Sequence, residues 1–210
     1  MREPILQSPL HSFDLSSQAR TPDESCGAWA NEIPLLGYVS LRGDARDPGF
    51  AEATTSALGI SLPTEPCSYI IHGGRKVLWL SPDEWMVVMA RNAVGPLIAN
   101  LEAGLDGVRR QLADNSGGYT QVLLQGRNAL DVLQHASVYD FAALLPGRVV
   151  GTTFGKTSLY VHRTGDGFCL LMRRSFADYI WRYLVRCAAP YGLGIAAVDA
   201  AGHAGLGVAA

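Results

Sequence analysis

The sequence carries little charge for its length. Charged residues make up 17% of the 210 residues, and the formal net charge is −2, whereas about 25% is typical of soluble proteins. The two arginine pairs, Arg109-Arg110 and Arg173-Arg174, are too few to follow a phosphate backbone, so we expect no nucleic-acid partner. Low charge favours a surface that is partly covered by another chain. The alternative explanation is a composition that is simply rich in alanine and glycine.

Long apolar runs are also missing. No stretch approaches the roughly 20 apolar residues that span a bilayer, and residues 1–20 lack the basic start and apolar centre of a secretory signal. The four cysteines, which are Cys26, Cys67, Cys169 and Cys187, are far apart and match no metal-binding spacing. Cys169 lies in an apolar run and is expected to be a core thiol. These absences predict a cytoplasmic protein without a membrane partner.

The common sequence patterns of catalysis are absent as well. Neither Gly165-Asp166-Gly167 nor Gly192-Leu193-Gly194 lies between a strand and a helix with a third glycine in place, so neither predicts dinucleotide binding. His72, His135 and His162 have no histidine or cysteine three or four residues away, which argues against zinc. No Gly-X-Ser-X-Gly elbow occurs. We therefore predict no catalytic, cofactor-binding or metal-binding residue in this chain.

Two places keep a functional interpretation open. Asp83 and Glu84 stand beside Trp85 and could do acid–base work in a pocket, although their position in a predicted turn favours turn capping. Residues 114–118, Asp-Asn-Ser-Gly-Gly, join two halves of the chain. They could face a ligand there, or they could be a structural linker fixed by side-chain bonds to the backbone.

The sequence does contain a weak internal repeat. When the chain is shifted by 83 positions, Val39 and Leu41 fall on Val122 and Leu124, and Asp83 falls on Asp166. Few pairs are identical, but apolar positions, glycines and prolines stay in step. A duplicated unit of this length predicts a pseudo-symmetric fold. Chance alignment of two amphipathic stretches is the alternative.

Each half reads as strand, helix, three strands, helix and strand, which predicts an α+β fold with helices covering antiparallel sheets. A helix is expected to start at Asp47-Pro48, and Gly73-Gly74 is expected to join a hairpin. Ser175 and Asp178 form a predicted capping box. The predicted organisation is a tail over 1–32, one duplicated domain over 33–200 with halves at about 33–113 and 114–198, and a second tail over 201–210. The apolar residues in the first tail could dock on a partner or on the chain's own body.

Several segments together resemble a known family. They are Trp79-Leu80-Ser81-Pro82-Asp83-Glu84-Trp85, the stretch from Asp114 to Leu133, Phe154-Gly155-Lys156-Thr157, and Arg174-Ser175-Phe176-Ala177-Asp178-Tyr179-Ile180-Trp181. Over residues 34–195 the chain resembles the gamma subunit of heterotetrameric sarcosine oxidase. The resemblance implies the fold of the folate-binding domain of aminomethyltransferases, with two related α+β halves.

The resemblance also implies a complex with alpha, beta and delta subunits. Such a complex oxidatively demethylates sarcosine to glycine with oxygen, and it gives hydrogen peroxide and either 5,10-methylenetetrahydrofolate or formaldehyde. FAD, FMN, NAD, zinc and tetrahydrofolate are expected in the other chains, and the gamma chain is expected to have a structural, non-catalytic role in assembly.

Two other functions are kept as alternatives. The first is a stand-alone folate-binding protein or enzyme of the aminomethyltransferase fold. The lysine-glycine-cysteine-aromatic segment of related iron–sulfur maturation proteins is absent, and full aminomethyltransferases are longer. The second is a regulatory module that binds an amino acid between its halves, for which no polar cluster marks a pocket.

Overall fold

The computed structural model describes residues 5–165 and 167–198, which divide into two units. The six-stranded unit contains residues 5–35, 118–146 and 151–198, and the five-stranded unit contains 36–117 and 147–150. This division differs from the single domain predicted over 33–200, because residues before 36 fold with the second half. The tail predicted over 201–210 lies outside the described residues. None of the helices described is long and apolar enough to cross a membrane.

After residue 36 the strands and helices follow the predicted order. In chain order the strands are β1 (Ala28–Ile33), β2 (Gly37–Arg42), β3 (Tyr69–His72), β4 (Arg75–Ser81), β5 (Glu84–Met89), β6 (Gln111–Asp114), β7 (Tyr119–Gln125), β8 (Val149–Phe154), β9 (Thr157–Arg163), β10 (Gly167–Arg173) and β11 (Leu193–Ile195). The α-helices are α1 (Leu15–Gln18), α2 (Pro48–Leu58), α3 (Val94–Gly104), α4 (Ala129–Ala136) and α5 (Ala177–Ala188). Helices and largely antiparallel sheets confirm the predicted α+β class.

The five-stranded sheet has the order β3-β4-β5-β2-β6, and every neighbouring pair in it is antiparallel. Helix α2 begins as predicted. The Asp47 carboxylate accepts hydrogen bonds from the Gly49 and Phe50 amides, which have no helical partner, and this cap is worth about 1 kcal/mol. Phe50 from α2 and Leu97 from α3 then pack with Trp85 and other buried side chains of one sheet face into an apolar core.

The six-stranded sheet has the order β11-β1-β7-β10-β9-β8. Strand β1 runs antiparallel to β7 and parallel to β11, and all six of its residues are buried. Helices α4 and α5 contact each other. The buried face of α5 includes Ile180, Leu184 and Cys187, which recur every three or four residues and so lie on one face of the helix.

The internal repeat, with its offset of 83 positions, aligns equivalent elements of the two sheets. Strands β2 to β5 correspond in order to β7 to β10, with β3 matching β8, and β6 corresponds to β11. The agreement is closest at the second helix of each half: the 3₁₀ turn Arg91–Ala93 leads into α3, and Arg174–Phe176 leads into α5 at the equivalent residue. The duplication concerns secondary structure and its order, as the shift of the sequence predicted.

The six-stranded sheet differs from its counterpart by one strand, and this overturns part of the predicted tail. Residues 1–32 were predicted as a tail, but β1 lies in the interior of the sheet, with hydrogen-bonded neighbours on both sides. Ahead of β1, Leu10 and Leu15 are buried, and the rings of Phe13 and Trp181 lie 6.2 Å apart. This segment therefore docks on the chain's own body, which was one of the two expectations for its apolar residues.

Two local predictions were incomplete or wrong. Three strands were predicted between the helices of each half, but β8 was given no position in the second half, because its Gly151, Thr152 and Thr153 interrupt any apolar run. The capping box predicted at Ser175 and Asp178 does not form: the N-cap of α5 is Phe176, which makes no side-chain capping bond, and Asp178 instead accepts from Arg182 Nε at 3.0 Å, one helical turn later.

We predict that Gly155→Ala destabilises the chain by about 1–3 kcal/mol. Gly155 has φ +58, and an added Cβ would lie 2.4 Å from the Tyr179 hydroxyl, which accepts the Lys156 amide. Gly147 also has a positive φ, but a Cβ there would meet no neighbouring atom. Gly147→Ala should therefore lower the free energy of unfolding by about 1 kcal/mol. Gly117→Ala meets neither problem and should change stability by less than about 0.5 kcal/mol. Urea unfolding of the three variants measures the order, and equal losses at Gly155 and Gly117 would contradict the described packing.

Candidate functional site

Asp83 and Glu84 lie at the turn between β4 and β5, where the sequence left acid–base chemistry open. Ser81 Oγ donates to Asp83 Oδ1 at 2.8 Å, and Arg42 Nη2 donates to the Asp83 carboxylate at 2.9 and 3.2 Å. These two contacts, led by the Ser81 bond, lower the pKa of Asp83. Asp83 is exposed and held as a carboxylate, which suits a turn and gives no poised proton donor.

The turn forms one side of an open cleft on the five-stranded unit, with a volume of about 1130 Å³. Its charged side chains come mainly from two loops. Arg46 forms a fork with Asp44, with both nitrogen–oxygen distances at 3.0 Å, and this exposed pairing lowers the pKa of Asp44. Arg109 and Arg110 are exposed on the opposite loop. Because acids and bases alternate here and most are paired, the cleft presents no concentrated charge of one sign.

The polar side chains of the loop over residues 114–118 form hydrogen bonds within the five-stranded unit. Asp114 accepts from the Ser116 amide and hydroxyl, and Ser116 Oγ accepts from the Tyr38 amide at 3.1 Å. Asn115 Nδ2 donates to Ser40 Oγ at 2.6 Å. Ser116 is only 6% exposed. The polar side chains of this loop therefore fix its backbone, which is the linker interpretation that the sequence left open.

The histidines stay apart in the fold. His72 is exposed beside Gly59, and His135 lies at the end of α4, where its ring is 5.7 Å from that of Tyr191. His162 is buried on β9 opposite Cys169. Over residues 5–165 and 167–198, no group of three or more histidine, cysteine or acidic side chains is arranged to hold a metal ion.

The cysteines are all free thiols in contrasting surroundings. Cys67 is exposed and has φ +59. Cys169 is buried, as the sequence predicted, and donates to Gln121 Oε1 at 2.9 Å. Burial raises the pKa of Cys187 on α5. A nucleophilic cysteine needs a lowered pKa and access, so Cys169 and Cys187 do not meet that requirement.

One buried acid was missed by the sequence analysis. Glu32 on β1 is 4% exposed and accepts from Thr120 Oγ1 at 2.6 Å and from the Ser8 hydroxyl. Burial raises the pKa of Glu32, while these hydroxyls, the Leu10 amide and nearby Arg174 oppose the shift. The hydroxyls close the acid off from solvent. An acid inside the apolar-flanked run Ala28–Ile33 was the available signal, but the segment had been assigned to the tail.

Solved structures with the same fold define the class of protein. Aminomethyltransferase T of the glycine cleavage system from Bartonella henselae superposes with a TM-score of 0.67 at 16% identity, over 93% of this chain and 60% of that one. A chain of heterotetrameric sarcosine oxidase from Corynebacterium sp. U-96 superposes with a TM-score of 0.79 at 23% identity, over 92% of this chain and 99% of that one. The fold is therefore that of the aminomethyltransferases, as expected.

Sequence comparison is more specific than the fold. Sarcosine oxidase subunit gamma from Corynebacterium sp. (strain P-1) is 29% identical over 160 residues, covering 73% of this chain and 76% of the relative. The Arthrobacter sp. protein of the same name is 28% identical over 158 residues, with the same coverage. A model of the sarcosine oxidase, gamma subunit family matches residues 42–190. The chain belongs to the sarcosine oxidase, gamma subunit family.

We predict that Glu32 makes stability fall as the pH rises. In the unfolded chain the carboxyl ionises near its ordinary pKa of 4.5, but in the folded chain it stays protonated to a higher pH. Between those two pKa values the folded state binds more protons, so the free energy of unfolding decreases with pH. Glu32→Gln should remove this decrease, whereas Glu52→Gln, at an exposed position on α2, should leave it. Urea unfolding at several pH values measures the slopes, and equal slopes in wild type and Glu32→Gln would refute the assignment.

We predict that Cys67 reacts first with a thiol reagent in the native chain, because its side chain is the exposed one. Cys169 and Cys187 are buried and should react only as the chain opens. Stopped-flow absorbance of the reaction with the reagent should show a fast phase. Cys67→Ser should remove this fast phase, and Cys169→Ala should retain it. A fast phase that survives Cys67→Ser and disappears in Cys169→Ala would show that the two environments are misassigned.

Proposed function

We propose that this chain is the non-catalytic gamma subunit of a heterotetrameric sarcosine oxidase and that it supports assembly of the complex. The observation that carries the proposal is the combined match of sequence and fold. The family model spans residues 42–190, and the superposition on a chain of the Corynebacterium enzyme covers 92% of this chain and 99% of that one. Nearly all of either chain is accounted for by the shared fold.

The proposed partners are the alpha, beta and delta subunits. In this assignment the complex oxidises the N-methyl carbon of sarcosine, with oxygen as electron acceptor. The products are glycine, hydrogen peroxide and a one-carbon unit, which is released as formaldehyde or carried as 5,10-methylenetetrahydrofolate. We also propose a cytoplasmic location, which the four free thiols support because thiols persist in reducing compartments.

The cofactors proposed for the complex are FAD, FMN, NAD and zinc, with tetrahydrofolate as the one-carbon acceptor. The described residues of this chain do not fit a dinucleotide or a zinc ion. Gly165 and Gly167 belong to the hairpin between β9 and β10, and Gly194 lies within β11, so none opens a helix that could receive a pyrophosphate. We therefore assign these cofactors to the partner chains.

The surface supports an assembly role better than a catalytic one. Among the described residues, every exposed large hydrophobic side chain lies in the six-stranded unit; they are Ile5, Leu6, Leu35, Val138, Leu145, Phe176 and Val185. Val138 is 93% exposed and Leu145 62% exposed, on either side of the 3₁₀ turn Phe141–Ala143. Exposed apolar side chains that form one contiguous patch mark a surface for another protein, and this unit supplies the side chains for such a patch.

Co-expression of the four chains, with and without this one, tests the proposal. With this chain present we expect a complex containing all four subunits, with bound flavin and sarcosine turnover. Without it we expect the yield of assembled, flavin-containing complex to fall several-fold, because an apolar surface on the partners loses its cover. Size-exclusion chromatography with light scattering, flavin absorbance and peroxide release measure the three properties.

The isolated chain serves as the control. It should give no peroxide from sarcosine, and titration with tetrahydrofolate should not change its melting temperature. Three partner chains that assemble and turn over fully without this one would contradict the proposal. Stabilisation of the isolated chain by folate would favour a stand-alone folate-binding protein.

A further inference from the structure

A second pocket, on the six-stranded unit, concentrates charge of one sign. It has a volume of about 670 Å³ and is formed by the segment from Gln7 to Ser12 together with Gly118 and the residues that follow β10. Arg173 and Arg174 contribute guanidinium groups to it, Ser175 a hydroxyl and His11 an imidazole, and no carboxylate is among the residues that line it. This composition contrasts with the first cleft, in which acids and bases alternate.

The walls of the pocket are fixed by bonds within the unit. The Arg174 amide donates to Gly118 O at 2.8 Å, and Arg174 Nη2 donates to Gln7 O at 3.0 Å. Ser8 donates to the buried Glu32, and Leu10 is 1% exposed. Arg174 therefore has a structural task, since it ties the N-terminal segment to the end of β10.

Comparison of the two halves distinguishes Arg174, which has a structural role, from its neighbour Arg173. Arg91 is the equivalent of Arg174 in the first half, and it likewise donates to a backbone carbonyl, Ser116 O, at 3.1 Å. Arg173 and Tyr119 correspond instead to Ala90 and Leu36. The cation that both halves share is thus the one that holds the backbone, and Arg173 belongs to one half only.

Arg173 is placed to bind rather than to support. Its guanidinium lies over the Tyr119 ring, 5.6 Å from the ring centre, and the side chain is exposed. Over the described part of the chain, Arg173 forms no ion pair. An arginine stacked on an aromatic ring has lost part of its rotamer freedom, and its planar fork matches a carboxylate with two parallel hydrogen bonds.

The sequence neighbours of the pocket are apolar and exposed. Ile5 and Leu6 precede Gln7 and are 84% and 61% exposed, and Phe176 follows Ser175 and is 42% exposed. Arginine and aromatic residues are enriched among the side chains that contribute most to protein–protein binding, and surrounding apolar contacts exclude water from them. Exposed apolar residues are therefore adjacent in sequence to residues that line the cationic pocket.

We propose that this pocket receives an aspartate or glutamate side chain of a partner subunit, with Arg173 as the charged anchor. The inference rests on the proposed assembly role and adds where contact is made and which chemistry recognises it. A single carboxylate fits better than a polyanion, because only two arginines line this pocket and the whole chain has a net charge of −2.

The test compares three full-length variants for binding to the complex of the other three chains. Arg173→Glu places a carboxylate opposite the incoming one and should raise Kd at least about 10-fold. Arg173→Lys keeps the positive charge but loses the two parallel guanidinium hydrogen bonds, so its Kd should lie between those of Arg173→Glu and wild type. Lys156→Glu makes a charge reversal at an exposed position of the same unit and should bind like wild type. Surface plasmon resonance measures Kd, from about 0.05 to 0.5 M salt, where screening should weaken wild type more than Arg173→Glu.

The outcomes separate this inference from the proposed function. If wild type binds and Arg173→Glu binds equally well, the pocket has no such role, although the assembly role stands. If Lys156→Glu weakens binding as much as Arg173→Glu, the effect is one of overall charge, and the inference fails. If wild type does not bind the other chains at all, the proposed function itself fails. Unfolding curves for Arg173→Glu and Arg173→Lys confirm that both variants are folded.

Discussion

The structure depends on one strand that the internal repeat does not contain. In the five-stranded sheet, β6 pairs directly with β2, but in the six-stranded sheet β1 stands between the equivalents of those two strands. Strand β11 is hydrogen bonded to the sheet only through β1. Six consecutive buried residues, Ala28–Ile33, therefore join β11 to the rest of the sheet, although β1 and β11 lie more than 150 positions apart in the chain.

The same strand determines what the preceding segment can do. Because β1 starts inside the sheet, residues 5–27 must run over the surface of the six-stranded unit, where Leu10 and Leu15 are buried. This arrangement buries Glu32 away from water, which is unfavourable for its ionised carboxylate and raises its pKa. Hydrogen bonds from Thr120 and Ser8 partly offset the loss of hydration. The segment also forms one wall of the cationic pocket, so the strand, the buried acid and the proposed contact surface are linked.

Much of the fold could be predicted because its signals are local. Gly73-Gly74 gives the hairpin between β3 and β4, and Asp47-Pro48 gives the start of α2. The shift of 83 residues aligns equivalent strands, because glycines and apolar residues are needed at the same turns in each half. Strand β1 could not be predicted in this way. It is buried on both faces and does not alternate, and its partners β7 and β11 are distant in sequence.

The site was harder to predict for a different reason. The sequence pattern identified Asp83 and the loop over residues 114–118 as polar turns. Only the hydrogen bonds with Arg42, Ser81 and Tyr38 show that their polar groups are already paired within the chain. Arg173 gave a weak signal as half of an arginine pair. Its distinction from Arg174 depends on which guanidinium reaches a backbone carbonyl, and a sequence pattern does not contain that information.

The central proposal is that the chain provides a contact surface for its partner subunits and no reacting group. The most direct test is turnover by the assembled complex when four solvent-accessible candidates for proton transfer are removed together, as Asp83→Asn, Glu84→Gln, His72→Gln and His135→Gln in one chain. Removal of a general acid or base costs about 10²–10⁴-fold in rate. The account predicts a complex that assembles normally and has a kcat for sarcosine within about two-fold of wild type. A fully assembled complex whose kcat falls by about 100-fold or more would contradict it.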